Sequence, residues 1–257
     1  MKLNTKIAIV TGGGRGIGKA IAEAFAREGA KVVVTAARQR SEIEEVASKI
    51  GGTAVLADVS KKGDVQKLVH TVVSEFGRID ILVNNAARGM KFINERFMTE
   101  PKPFWEADAD MWRMVIETNV NGVFLMTRAV ITHMREHRSG RIINISINHE
   151  TMERKGFTPY GPSKAALESM SIIWAQELEG TGITLNVLLP GGATNTGMIP
   201  DAFPEFQRNK LIDPAIMGPP AVYLASDEAI GVNGQRIIAV EWKETHKATD
   251  DKQHSES

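Results

Sequence analysis

A tyrosine and a lysine, Tyr160 and Lys164, stand four residues apart in the stretch TPYGPSKAAL, which has the pattern of a helix start. Thr158 can cap such a helix, and Pro159 suits its first position, where no amide donor is needed. Residues i and i+4 lie on one helix face, and an ammonium beside a phenol lowers the phenol pKa from about 10. Such a phenol can exchange a proton with a carbonyl or alcohol oxygen near neutral pH. The alternative is a chance pair of surface side chains.

The composition limits the chemistry that the chain can perform. Its 257 residues include no cysteine, which excludes disulfides, thiolate metal sites and thiol nucleophiles. The 31 basic and 31 acidic residues balance to zero, so no global charge favours nucleic acid or an anionic membrane. No stretch approaches the roughly 20 apolar residues of a membrane span, and the N-terminus lacks a secretory pattern. We therefore expect a cytoplasmic protein. His133 and His137 have a metal-compatible spacing but lack an evident third ligand, so no metal site is predicted.

A glycine-rich turn between a strand pattern and a helix pattern is the second feature with chemical meaning. The short apolar run at 6–11 leads into GGGRGIG at 12–18, and an amphipathic helix pattern follows at 19–26. Glycines let the backbone approach a pyrophosphate, and the N-terminus of a helix favours its negative charge. In this order of elements, the turn predicts a dinucleotide site.

Strand and helix patterns alternate along the rest of the chain. Further strands are predicted at 31–35, 53–57, 79–83, 141–146, 183–189 and 236–240. Helices are predicted at 41–50, 61–76, 110–138 and 160–179, with shorter helical pieces within 201–226. This alternation predicts an α/β fold, a single-domain Rossmann-type doubly wound parallel sheet at 1–242 with helices on both faces. The polar residues 243–257 are predicted to form a disordered tail.

The polar and glycine-rich positions of the chain fall at the predicted carboxyl ends of the strands. They are the glycine turn, Asp58, Asn84-Asn85, Ser146 and Pro190-Gly191. In open α/β sheets, ligands bind beyond these ends. The segments 88–108 and 193–215 match no regular pattern and are expected to form the substrate site, since long loops in compact domains are usually functional or mobile.

With these residues in hand, the chain resembles the short-chain dehydrogenase/reductase family over about residues 5–240. Residues 11–18 match the family's TGxxxGxG turn, Asp58-Val59 the pair that contacts adenine, and residues 84–87 the NNAG segment, with Ala87 in place of glycine. Asn119 matches the helix asparagine of the catalytic group, Tyr160 and Lys164 match YxxxK, and Pro190-Gly191 matches the motif before the nicotinamide-contacting loop.

The resemblance implies a role for each matched residue. Tyr160 would be the acid/base, Lys164 would lower its pKa and bind the nicotinamide ribose, and Asn119 would hold a water in a proton relay. The family threonine position falls on Asn195, between Thr194 and Thr196, so either threonine is a candidate for the nicotinamide carboxamide. The implied cofactor-binding residues are Gly12, Gly14, Arg15, Gly16, Ile17, Gly18, Arg38, Asp58, Val59, Asn85, Ala86, Ala87, Tyr160, Lys164, Pro190, Gly191, Thr194 and Thr196.

The chain departs from the family at the serine that usually binds the substrate oxygen. That position, thirteen residues before the tyrosine, is Ile147. Ser146 lies one residue earlier and faces the opposite side of a regular strand. A bulge could turn Ser146 inward, Asn148 or His149 could replace it, or the donor is missing. We predict Ser146 as the catalytic serine; otherwise its hydroxyl serves backbone groups at the strand end.

The end of the second predicted strand bears on cofactor choice. NAD-preferring members carry an acidic residue there to bind both ribose hydroxyls, but this chain has Ala36, then Ala37 and Arg38. A 2′-phosphate would not be repelled, and Arg15 and Arg38 could pair with it. The prediction is NADP(H), with NAD as the alternative.

The predicted function is an NADP(H)-dependent oxidoreductase that interconverts a carbonyl and a secondary alcohol, with a small-molecule substrate. Its alternatives are an NAD-dependent alcohol or polyol dehydrogenase, or a dinucleotide-binding sensor or scaffold without catalysis. The helices at 110–138 and 160–179 resemble those through which family members associate, which implies a homo-oligomer, a tetramer or dimer.

Overall fold

Seven parallel strands form one sheet in the computed structural model, which describes residues 1–201 and 203–243. The strand order is β3-β2-β1-β4-β5-β6-β7, and every neighbouring pair is parallel. The strands are β1 (Ile7–Thr11), β2 (Lys31–Ala36), β3 (Thr53–Leu56), β4 (Ile81–Asn84), β5 (Gly140–Ile145), β6 (Ile183–Leu189) and β7 (Arg236–Ile238). The sheet confirms the predicted Rossmann-type α/β fold, and the order reverses direction beside β1, where such sheets bind ligands.

Helices cover both faces of the sheet. They are α1 (Gly16–Arg27), α2 (Arg40–Ile50), α3 (Lys62–Phe76), α4 (Ala109–Ile116), α5 (Gly122–Glu136), α6 (His149–Met152), α7 (Tyr160–Glu177), α8 (Glu205–Arg208) and α9 (Gly218–Ala225). Successive residues of β1 enter opposite cores: Ala8 and Val10 pack with α1 and α9, whereas Ile7 and Ile9 pack with α3 and α5. A strand buried on both faces explains why its sequence is apolar without alternation.

The helix predicted at 110–138 is interrupted where the site needs it. A π-helical turn at Glu117–Asn121 separates α4 from α5 and buries Thr118 and Asn119. The prediction of one continuous helix was wrong here, because periodicity does not register the extra residue of a π turn. Such turns occur frequently at functional sites.

The start of α7 also differs from the prediction. The helix begins at Tyr160 with Pro159 as its N-cap, and no side chain caps it. The expected cap by Thr158 was therefore wrong, because the amide of Gly161 donates instead to the carbonyl of Phe157 at 2.7 Å. Backbone carbonyls of the preceding loop thus take the place of a capping hydroxyl.

The two segments assigned to the substrate site contain little regular structure, as expected. Residues 88–108 hold two short 3₁₀ turns, and residues 193–215 hold α8 and a single bridge between Thr194 and Ile212. Of the predicted tail at 243–257, all but Lys243 lies outside the described residues. Within the described ranges, every helix is too short or too polar to cross a bilayer.

Candidate active site

The glycine turn is held in place by an asparagine from the end of β4. Asn85 Nδ2 donates to the carbonyls of Thr11 at 2.9 Å and Gly12 at 3.1 Å. A Cβ added at Gly18 would lie 2.2 Å from the Gly12 oxygen, so only glycine lets α1 start directly against the turn. Gly16 has φ 53°, in the left-handed region that favours glycine. The turn is therefore built around bare backbone, the form in which such loops cradle a pyrophosphate.

A cavity of about 560 Å³ opens beyond the carboxyl ends of β1, β2, β3 and β4. Twelve of the predicted cofactor-binding residues line it: Gly12, Gly14, Arg15, Gly16, Ile17, Arg38, Asp58, Val59, Asn85, Ala86, Ala87 and Thr196. Its lining combines open glycine backbone and three arginines, Arg15, Arg38 and Arg88, and position 36 is an alanine in place of a carboxylate. The residues present therefore fit a nicotinamide dinucleotide.

Six predicted cofactor residues do not line this cavity: Gly18, Tyr160, Lys164, Pro190, Gly191 and Thr194. Gly18 is packed beneath the turn, and the buried hydroxyl of Thr194 donates to the Gly192 carbonyl at 3.1 Å. A Cβ at Gly191 would lie 2.3 Å from the Val240 side chain, so Gly191 is close-packed against the chain after β7. Of the two candidate threonines, Thr196 lies at the cavity, against Gly16.

Asp58 is kept ionised at the cavity wall. Burial by itself raises its pKa, but hydrogen bonds from Ser60 and the charges of Arg88 and Lys61 outweigh that effect and hold the pKa below its usual value. The Ser60 hydroxyl donates to Asp58 Oδ1 at 2.7 Å. The carboxylate is thus available as an acceptor for a donor such as an exocyclic amine.

Lys164 is buried, with 3% of its surface exposed. Its Nζ donates to the Ile145 carbonyl at 2.7 Å and lies 6.0 Å from the centroid of the Tyr160 ring. Burial lowers the pKa of Lys164 to about 8, although the nearby Glu168 carboxylate acts in the opposite direction. Burial raises the pKa of Tyr160 to about 12. The expected lowering of the phenol pKa is therefore not found, because desolvation outweighs an ammonium that is turned toward Ile145.

Asn119 connects the loop after β4 to helix α7. Its Oδ1 accepts from the Arg88 amide at 2.8 Å, and its Nδ2 donates to the Arg88 carbonyl and to Ser163 Oγ, both at 3.0 Å. The Ser163 hydroxyl in turn donates to the Tyr160 carbonyl at 2.6 Å. The side chain thus holds both the cavity wall and the start of α7.

Ser146 continues the regular ladder of β5, without a bulge. Its amide donates to the Leu188 carbonyl at 2.9 Å, while its buried hydroxyl has no hydrogen-bond partner among the described residues. Asn148 Nδ2 donates to the Gly191 carbonyl at 3.0 Å, and His149 is exposed at the start of α6. A bulge therefore does not turn Ser146 inward. Its hydroxyl is nevertheless the buried donor of these three groups that has no partner among the described residues, which distinguishes it from a serine that serves the backbone.

Sequence reasoning missed the part that Arg88 plays. Its Nε donates to Thr118 Oγ1 at 3.0 Å, and its guanidinium lies 4.6 Å from the centroid of the Phe92 ring. Burial and the positive charge of Arg38 both lower its pKa, so the two arginines face a common space in the cavity. Its position could have indicated this role, because Arg88 is a charged residue that directly follows the matched segment 84–87 at the end of a strand.

The two irregular segments meet over the site. Lys91 Nζ lies 2.9 Å from Asp201 Oδ1, and a Cβ at Gly89 would lie 3.1 Å from Met198 Sδ. Beside Tyr160, an apolar cluster is formed by Met90, Ile93, Phe97, Met98 and Phe157. The tyrosine thus borders an apolar wall supplied by residues 90–98 and by the loop before α7.

Comparison with known proteins agrees with this geometry. The family model for short chain dehydrogenase matches residues 6–205. The chain is 33% identical over 248 residues to the 3-oxoacyl-[acyl-carrier-protein] reductases of Salmonella typhimurium and Escherichia coli, covering 92% of this chain and 96% of each relative.

Two solved structures share the fold at similar levels of identity. A 3-ketoacyl-(acyl-carrier-protein) reductase from Brucella melitensis complexed with NADH has a TM-score of 0.81 at 31% identity, covering 92% of this chain and 97% of that one. The second is a Beutenbergia cavernae protein assigned as an NAD(P)-dependent gluconate 5-dehydrogenase, with bound NADP. Its TM-score is 0.79 at 30% sequence identity, and the match covers 93% of this chain and 96% of that one. The chain belongs to the short-chain dehydrogenase/reductase family of NAD(P)-dependent oxidoreductases.

Proposed function

We propose that the protein is an NADP(H)-dependent oxidoreductase that interconverts a carbonyl and a secondary alcohol, with Tyr160 as the acid/base. The observation that carries the proposal is the junction made by Asn119. One side chain joins the wall of the glycine-turn cavity, through Arg88, to the helix that begins at Tyr160, through Ser163. The cofactor site and the proton-transfer site are thus parts of one rigid unit, as hydride transfer requires.

Each residue has a distinct part in the proposed reaction. The dinucleotide, when bound, supplies or accepts the hydride. Tyr160 gives its proton to the carbonyl oxygen during reduction, or takes one from the alcohol during oxidation. Lys164 supplies the positive charge that lets a phenolate form, once its ammonium leaves the Ile145 carbonyl for the site. The Ser146 hydroxyl, which has no hydrogen-bond partner among the described residues, is the proposed donor to the substrate oxygen.

The preference for NADP(H) is supported by the charges around the adenosine half of the cavity. Arg15 and Arg38 line it, and no carboxylate stands at Ala36. A 2′-phosphate would be met by two guanidinium groups, whereas the ribose hydroxyls of NAD would lack their usual acceptor. Asp58 and Val59 are proposed to contact the adenine, and Thr196 the nicotinamide half.

The substrate is proposed to carry an apolar portion beside its carbonyl group. The wall at Tyr160 consists of Met90, Phe97 and Phe157, with Phe97 and Phe157 edge to face at 5.4 Å. The relatives named above act on 3-oxoacyl thioesters, and one neighbour is assigned to a sugar acid. These two classes therefore head the substrate panel.

The test is turnover of NADPH and NADP⁺ with a panel of 3-oxoacyl thioesters, simple ketones, sugar acids and secondary alcohols. We expect turnover with a member of this panel and a loss of at least about 100-fold in Tyr160→Phe, since that variant cannot transfer the proton. Tyr223→Phe removes the only other tyrosine and should leave the rate unchanged. Full activity in Tyr160→Phe would refute the assignment. Tight dinucleotide binding without any turnover would instead favour a sensor or scaffold, the class that Ile147 suggests.

A homo-oligomer is proposed from the surfaces of α5 and α7. Phe124 on α5 and Ile172 and Ile173 on α7 expose 43%, 54% and 51% of their surface, and the Phe124 ring lies 6.3 Å from that of Trp174. Such an apolar face favours association with a second copy. Light scattering should give the mass of a dimer or tetramer for the wild type. The Ile172→Glu variant should have a mass closer to that of the monomer. A monomeric wild-type protein would contradict this. The cytoplasmic location stays a prediction.

A further inference from the structure

A partly buried ion pair lies one helical turn beyond Lys164. Glu168, on α7, exposes 9% of its surface, and Arg236, at the start of β7, donates from Nε to both carboxylate oxygens at 3.2 and 3.0 Å. A buried carboxylate is costly unless it is paired, so the arginine accounts for the charge of Glu168. A hydrophobic pair would fill the same space at lower cost. The presence of charges here therefore calls for a function.

The same guanidinium reaches the end of β5. Arg236 Nη2 donates to the Ile147 carbonyl at 3.0 Å. Ile147 directly follows Ser146, whose hydroxyl is proposed to bind the substrate oxygen. Arg236 thus ties two catalytic elements together, because one edge of its planar fork holds α7 and the other holds the backbone beside Ser146.

Glu168 also acts on Lys164, which precedes it by four residues on α7. Elements packed against α7 include β6, the π turn, α6 and α4. Strand β6 has no ionisable side chain, and those of the other three elements are Glu117, His149, Glu150, Asp110 and Arg113. All five are at least partly exposed. Among the described residues, Glu168 is the group whose charge opposes the loss of the Lys164 proton.

We infer that Glu168 and Arg236 form a positioning pair for the reaction at Tyr160, a role that rests on the proposed function. The carboxylate keeps the buried Lys164 ammonium charged, and the guanidinium fixes the backbone that presents Ser146. Neither residue touches the reacting atoms.

The first test reads the charge of Lys164 directly, without turnover. In protein carrying ¹³Cε-lysine, the resonance that disappears in Lys164→Arg reports the titration of Lys164. In Glu168→Gln this resonance should titrate at lower pH than in the wild type, by about one pH unit, because the opposing negative charge is gone. Glu177→Gln, an exposed change on the same helix, should leave it unchanged. An unaltered titration in Glu168→Gln would overturn the inference for Glu168.

A double variant controls for the possibility that Glu168→Gln unfolds the protein. Glu168→Gln leaves the Arg236 charge unpaired, whereas the double variant Glu168→Gln/Arg236→Gln removes both charges and keeps a hydrogen-bonding pair. The lysine titration should move in the same direction in this protein. If the double variant folds and its Lys164 titrates as in the wild type, the pair is merely structural.

The arginine is tested by kinetics on any substrate that the panel identifies. Arg236→Lys keeps a positive charge for Glu168 but cannot also hold the Ile147 carbonyl. We expect kcat to fall about tenfold with the KM for NADPH unchanged, and the Lys164 titration to stay in place. An unchanged kcat would overturn the role of Arg236. Should no substrate turn over, the proposed function fails, but the lysine titration still decides the role of Glu168.

Discussion

Lys164 Nζ donates to the Ile145 carbonyl at 2.7 Å, which places an ammonium at the carboxyl end of strand β5. The contact satisfies a buried charge. It also places the ammonium one residue before Ser146, between the strand end and the start of α7. Lys164 is therefore the point at which the sheet, the helix and the proposed chemistry meet, and its protonation can be measured in several ways.

The first prediction concerns stability against pH. The pKa of Lys164 is lowered from 10.5 to about 8, so above pH 8 the native state releases this proton while the unfolded state keeps it. Stability should rise between pH 8 and 10, since the unfolded state binds more protons there, and the full gap corresponds to about 3 kcal/mol. Above pH 10 the effect of Tyr160 has the opposite sign, because its pKa is raised to about 12. Denaturant unfolding of wild type and Lys164→Met at pH 7, 8, 9 and 10 measures the rise. Equal slopes in both proteins would contradict it.

The second prediction concerns the Ser146 hydroxyl. Ser146→Ala should lower kcat by about 100-fold, because a donor to the developing oxyanion is lost. The same variant should be as stable as the wild type or up to about 1 kcal/mol more stable, since it removes a buried hydroxyl that has no partner among the described residues. Thr184→Val is a matched control, as Thr184 has a second buried hydroxyl of this kind near the start of β6. Steady-state kinetics and urea unfolding should show the stability change in both variants and the kinetic change in Ser146→Ala alone.

The third prediction concerns recognition of the 2′-phosphate. Arg38→Ala should weaken NADPH binding about 10- to 100-fold and leave NADH binding unchanged, because a charge-assisted hydrogen bond is lost. Arg40→Ala is the control, since Arg40 pairs with Glu44 at 3.3 Å and does not line the cavity. Calorimetric titration with NADPH and with NADH measures how much each affinity changes in the variant. Equal losses for NADH and NADPH would place Arg38 elsewhere than at the 2′-phosphate.

The fourth prediction concerns Glu42, which competes for Arg15. Their side chains lie 3.4 Å apart at the cavity wall. Glu42→Gln should tighten NADPH binding by about two- to fivefold, since it frees Arg15 and removes a negative charge near the phosphate site. Glu44→Gln changes the same charge on the same helix outside the cavity. NADPH affinities that respond equally to both changes would reveal a long-range effect of net charge.

The fifth prediction concerns the junction at Asn119. Asn119→Ala leaves the Arg88 amide without its acceptor, and should destabilise the protein by about 2 kcal/mol and abolish most activity. Ser163→Ala removes one contact of the junction and should cost about 1 kcal/mol with a smaller kinetic loss. Thermal unfolding and kcat measurements test whether Asn119→Ala is more damaging than Ser163→Ala. The reverse order would show that α7 is positioned mainly through Ser163.

Local sequence was enough to predict the sheet, its parallel sense and the glycine turn. The runs at β1, β5 and β6 are mostly apolar, which suits strands buried on both faces. The intervening amphipathic patterns suit helices that cover them. The backbone of the glycine turn needs residues without a Cβ, as the 2.2 Å distance between an added Gly18 Cβ and the Gly12 oxygen shows. The turn can therefore be recognised from its glycines alone.

The contacts between the site residues depend on tertiary structure. The π turn that buries Asn119, the rotation of Lys164 toward Ile145 and the raised pKa of Tyr160 depend on packing and desolvation between distant segments, which periodicity and spacing do not encode. The same holds for Glu168 and Arg236, which are 68 residues apart in the chain and read as ordinary surface charges until β7 meets α7. The residue types that could react can be identified from local sequence, whereas their contacts and charges depend on how distant segments pack together.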